Sequence, residues 1–90
     1  MKPRSKNWYE FQQLQGDQAI LFIHLLASKY PSLTRTELQV CSMIRCGMES
    51  NEISKILNVT VHSIENHRSN IRSKLKLDHK QNLYTYLVGL

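Results

Sequence analysis

The chain is predicted to be all-α. Apolar residues recur at helical spacing along nearly its whole length, and no stretch alternates apolar and polar residues for long between turn signals. With 41% hydrophobic residues and only three Gly and two Pro in 90, the composition is that of a folded chain. Ninety residues suit one small domain with a single modest core, which excludes an enzyme with separate substrate and cofactor lobes.

The elements follow in order. Residues up to Lys6 read as a basic, frayed tail. Trp8 and Phe11, three apart, share a face of a first helix running to about Leu14, which Gly16 interrupts. Asp17 is placed to cap a second helix striped by Ile20, Ile23 or His24, Ala27 and Tyr30. Pro31 ends it by pushing Tyr30 out of the helical region. Thr34 and Glu37 form a capping box for a third helix, about Arg35 to Cys46, with Leu33 as staple and Gly47 as the left-handed terminator. Ile53, Ile56 and Leu57 mark a short fourth helix, closed by Asn58 in a left-handed turn. Thr60 then opens a fifth helix with an inward seam of Ile64, His67 or Arg68, Ile71 and Leu75. Its other side, His62, Glu65, Asn66, Ser69, Arg72, Ser73 and Lys76, is polar and increasingly basic. Asp78 is the expected cap of a last helix, with Leu83, Tyr86 or Leu87 and Leu90 on one side and Tyr84 and Val88 on another. No internal repeat is evident.

A net charge of +5 favours a polyanionic partner, either nucleic acid or an anionic membrane surface. From Asn66 to Lys80, five cations face one carboxylate, so most of that charge sits beside the fifth helix. Two cysteines are too few for a disulfide scaffold, and the absence of a secretory leader points to the cytoplasm. The Ala19–Ala27 stretch, interrupted by His24, is too short to cross a bilayer. Asn58-Val59-Thr60 then matches a glycosylation triplet only by chance. Cys41, Cys46, His62 and His67 lack zinc-finger spacing and read as packing residues. Trp8, Phe11, Phe22 and Tyr30 read as packing residues too, because their spacing keeps them on helical faces. No nucleophile elbow, Gly-rich phosphate loop or paired-carboxylate motif occurs. Neither an enzyme, a metal, a cofactor nor a small-molecule ligand is indicated.

Two helices joined by a short turn, the second amphipathic with small polar groups at its start and Arg and Lys further on, suit the DNA major groove. A helix of about fifteen residues is roughly 22 Å long and about as wide as the groove's roughly 12 Å, so it can touch both flanking backbones. The residues Leu33-Thr34-x-x-Glu37-Leu38, Gly47 and Glu52-Ile53-Ser54-x-x-Leu57-x-Val59-Thr60-x-x-Ser63-Ile64-x-x-His67-x-x-Asn70-Ile71-x-x-Lys74-Leu75 carry a specific likeness. In them the chain resembles the helix-turn-helix DNA-binding domain of LuxR-type (GerE-like) bacterial transcription regulators.

The resemblance spans roughly Ser32 to Leu90 and implies a four-helix domain: Arg35–Cys46, Ser50–Leu57, a recognition helix Val61–Lys76, and His79–Val88. Residues 1–31 are then a basic tail and an extension of one or two helices packed on the third, and 32–90 the helix-turn-helix domain. Matching positions imply base contacts by Glu65, Asn66 and Ser69, and phosphate contacts by Thr60, Ser63, Arg72, Lys74 and Lys76. Dimer contact is implied through Leu83, Tyr84, Leu87 and Val88. The chemistry agrees, since Asn can bond adenine bidentately and Glu can accept from cytosine N4. The chain departs from the pattern at Glu65, where relatives often have Lys, at Glu49 in place of a Ser or Thr cap, and at Asn51 in place of a frequent Lys.

The reading that follows is a sequence-specific, double-stranded-DNA-binding transcription regulator with no sensor domain in these residues, for which the resemblance suggests a homodimer through the last helix. It is either a stand-alone regulator or the C-terminal piece of a larger one. The alternatives are a helical protein-interaction module with a solvated basic face, and a sigma-factor-like promoter-contacting domain, which shares the Leu-Thr-x-x-Glu opening. His67 followed by Asn70-Ile71 fits the LuxR pattern better. A membrane-surface role is disfavoured, because the basic side of the fifth helix opposes no exposed apolar one.

Overall fold

The computed structural model describes residues 6–90, so the expected basic tail falls outside the described residues except for Lys6. Six helices and no strand occur among the described residues: α1 (Trp8–Gln15), α2 (Asp17–Lys29), α3 (Arg35–Arg45), α4 (Ser50–Leu57), α5 (Val61–Lys74) and α6 (Leu83–Val88). The all-α prediction holds.

α3 is the central element, packed by α2 on one side and by α5 and α6 on others, while α4 packs against α5 and α1 against α2. Its Val40, Cys41, Met43 and Ile44 are 0–1% exposed and meet Phe11, Phe22 and Leu26 from the N-terminal helices and Ile53, Ile64, Ile71 and Leu87 from the rest. Each such Leu or Ile contributes about 1.5–3 kcal/mol through burial. The N-terminal helices therefore supply part of one continuous core.

The start of α3 is as expected: the Thr34 hydroxyl accepts from the Glu37 N–H at 3.1 Å, and Glu37 Oε1 accepts from the Thr34 N–H at 2.8 Å. Gly47 adopts φ 82° after α3, and Asn58 adopts φ 57° after α4, the left-handed turns foreseen for both.

Four local expectations are corrected. Gly16, with φ 59° and ψ −141°, is the residue before α2, and Asp17 is its first helical residue, where its charge favours the helix dipole. The buried stripe of α2 is Ala19, Phe22 and Leu26, while Ile20 points outward. Residues 19–23 are all apolar, so several stripes are equally helical and packing chooses the one containing Phe22, whose ring lies 4.9 Å beneath the Arg45 guanidinium. α5 stops at Lys74, two residues early, because Lys76 turns left-handed at φ 56° and the Leu77 N–H closes back onto the Arg72 carbonyl at 3.0 Å. α6 begins at Leu83 instead of His79. Asp78 instead closes a turn, its Oδ1 accepting from the Lys80 N–H at 2.9 Å, and Asn82 caps the helix through the Thr85 N–H.

Tyr30 at the end of α2 and Tyr86 of α6 share a hydrogen bond between their hydroxyls, which joins the N-terminal extension to the last helix. That bond, with burial, raises the Tyr30 pKa above its ordinary value.

Replacing Lys76 by Gly relieves the left-handed strain and raises stability by about 0.5–1 kcal/mol, net of the entropy that Gly adds to the unfolded chain. Urea unfolding measures it, and a loss of stability contradicts the role assigned to this turn.

Candidate nucleic-acid interface

α4, a turn of Asn58, Val59 and Thr60, and α5 form a helix-turn-helix. Thr60 starts α5, its Oγ1 accepting from the Ser63 N–H at 3.0 Å. The other first-turn amides have no intrahelical partner, which leaves them for solvent or an anion. Ile64, Ile71 and Leu75 are buried along the inner side and fix the rotation of the helix. The outer side then consists of His62, Glu65, Asn66, Ser69, Asn70 and Ser73, all exposed. Its dimensions follow from length: fourteen residues give about 21 Å.

The cations near α5 divide into two groups. Lys74 Nζ donates to Glu37 Oε1 at 2.7 Å and to the Ser32 carbonyl at 3.0 Å. Glu37 has a side chain only 4% exposed, so this pair fastens the end of α5 to the start of α3. Burial acts to raise the Glu37 pKa, but hydrogen bonds from Lys74 and the Thr34 N–H and the Lys74 charge outweigh it, and the carboxyl sits below its ordinary value. Arg72 donates to the carbonyls of Gln81 at 2.7 Å and Asp78 at 2.8 Å, and so shapes the loop before α6. Lys74 and Arg72, expected from the sequence as phosphate ligands, thus have internal partners. Arg68 lies 4.0 Å from Glu65 in a loose i,i+3 pair, and Lys76 and Lys80 are exposed.

An open groove of about 790 Å³ runs beside α5, lined by Met48, Ser50, Asn51, Glu65, Arg68 and Tyr84 among others. Glu49 also borders it, so among the described residues two carboxylates and one cation, Arg68, line this side of the helix.

Of the residues named for dimer contact, Leu83 and Leu87 are 2% and 0% exposed and belong to the core, because a six-residue helix has only one side to bury. Tyr84 and Val88, at 45% and 49%, face outward.

Burial pushes the Cys41 thiol up to about 12 and raises that of Cys46, so both stay protonated at neutral pH. Among the described residues no group of three or more His, Cys, Asp or Glu is arranged to hold a metal ion, and no helix is long and apolar enough to cross a membrane.

The fold and its outward-facing second helix define the helix-turn-helix class. The sequence model of the luxR family of bacterial regulatory proteins, GerE, matches residues 31–87, more than half the chain, and the chain belongs to this family. It is a family of DNA-binding regulatory domains, not a class of enzymes. No curated relative and no solved structure matches the chain.

Sequence reasoning missed both internal anchors. The capping box was visible locally, but the second duty of Glu37, toward a lysine 37 residues away, leaves no local signal. A folded-state pKa below the unfolded value of about 4.3 means that Glu37 adds stability above that value and loses it as the pH falls through the folded pKa. Glu37→Gln is expected to cost about 1–3 kcal/mol at pH 7 and to flatten the loss of stability below about pH 4. Urea unfolding at pH 7 and pH 3 checks this, and equal destabilisation at both would contradict it.

Proposed function

We propose that the protein is a sequence-specific transcription regulator that lays α5, within the expected 61–76 segment, into the major groove of double-stranded DNA in the cytoplasm. The observation that carries this reading is the open, polar outer side of α5 around Asn66, held rigid from behind by the buried Ile64, Ile71 and Leu75 and by the Lys74–Glu37 pair.

In this reading Glu65, Asn66 and Ser69 meet base edges. Asn66 bonds adenine N6 and N7, and Glu65 accepts from cytosine N4 once it leaves Arg68. His62, exposed on the same side one turn before Asn66, joins them. Thr60, Ser63 and the first-turn amides meet one phosphate strand, and Lys76 the other. Arg72 and Lys74 act as positioning residues, holding the loop and the helix end. A homodimer on an inverted repeat pairs through Tyr84 and Val88, the two apolar residues of α6 left outside the core.

A salt titration on a site selected from random oligonucleotides tests the reading, because affinity falls with a log–log slope near −0.9 per neutralised phosphate. A flat response favours a protein-interaction module. Asn66→Ala costs about 1–3 kcal/mol on the selected site and relaxes one base position. Lys76→Ala weakens all sequences alike and lowers the salt slope by about 1. Equal losses by both variants on random and selected DNA would refute this division of roles.

A further inference from the structure

A second groove, of about 320 Å³, lies between α1, α2 and α3, apart from the helix-turn-helix, and is lined by Trp8, Gln12, Ile23, Arg35, Leu38 and Gln39. Its apolar walls, Trp8, Ile23 and Leu38, are partly buried and packed against the core. Trp8 is further held by stacking on Phe11, with ring centroids 5.4 Å apart. The three polar side chains at its edge, Gln12, Gln39 and Arg35, have no hydrogen-bond or ion-pair partner among the described residues. An apolar hollow near the lower end of the roughly 300–1,000 Å³ range of ligand pockets, with a few converging polar groups, is the form that binds small molecules.

The chemistry selects the class of occupant. Among the described residues Arg35 is the only charged one in the lining, and its planar fork matches a carboxylate bidentately. The two amides can donate to the same anion, while the tryptophan, isoleucine and leucine exclude water from a hydrocarbon or aromatic body. We propose that this groove binds a small amphipathic carboxylate, with its anionic end at Arg35 and its apolar end against Trp8 and Leu38. The site is independent of the DNA reading, since none of its residues is assigned to the DNA interface.

The groove carries its own reporter, because Trp8 is the only tryptophan in the chain. The test titrates the whole protein with octanoate below its micellar range, following Trp8 emission and, separately, backbone amide shifts in isotope-labelled protein. Neutral octanamide serves as the isostere, and Arg35→Gln as the variant. A saturable one-to-one response is expected, with amide shifts confined to α1, α2 and the first half of α3. Octanamide binds about tenfold more weakly, and Arg35→Gln weakens octanoate by about the same factor while leaving octanamide unchanged. Circular dichroism and urea unfolding establish that the variant is folded. No saturable response by either readout overturns the proposal, and so does equal binding of octanoate and octanamide that is indifferent to Arg35→Gln.

Discussion

The geometry of this protein turns on one nearly buried carboxylate. Glu37 completes the capping box of α3 and receives the Lys74 ammonium at 2.7 Å. A carboxylate removed from water destabilises the fold unless it is paired and hydrogen-bonded, so the start of α3 and the end of α5 are required to meet. The apolar seam sets which side of α5 turns outward. The ion pair sets where its far end lies.

The same pair changes how the charge of the region is read. Five cations between Asn66 and Lys80 look in sequence like one basic footprint. In the folded chain Lys74 and Arg72 serve Glu37 and three backbone carbonyls, Arg68 is drawn toward Glu65, and Lys76 and Lys80 are exposed to solvent. The positive field over α5 persists, because a paired lysine still carries its charge, but the groups able to leave for a phosphate are fewer than a tally suggests. Glu49 and Glu65 make the groove beside α5 partly acidic. Charge is therefore distributed unevenly around the helix.

Much of the fold was legible because its signals are local. The Thr34–Glu37 box, Gly47, the left-handed Asn58 and the Thr60 cap each act within a few residues, and each marks an end of α3, α4 or α5 as observed. Where sequence reading went astray, the deciding force was tertiary. The apolar run in α2 allows several stripes, and contact with Arg45 and the core selects the one through Phe22. Lys76 gives no composition cue for a left-handed turn, and Asp78 looks like a helix cap because Asp suits tight turns and caps alike. The outer side of α5 was legible from periodicity, whereas the internal partners of Arg72 and Lys74 depend on loops and a helix far away in sequence.

The contact between Tyr30 and Tyr86 bears on where the molecule ends as a physical object. The family match covers residues 31–87 and omits Phe11, Phe22 and Leu26, all three buried in the core. The stretch that the family match delimits and the stretch that shares one core are therefore different. Trimming to the former would open the back of α3 and release α6 from its tyrosine tether.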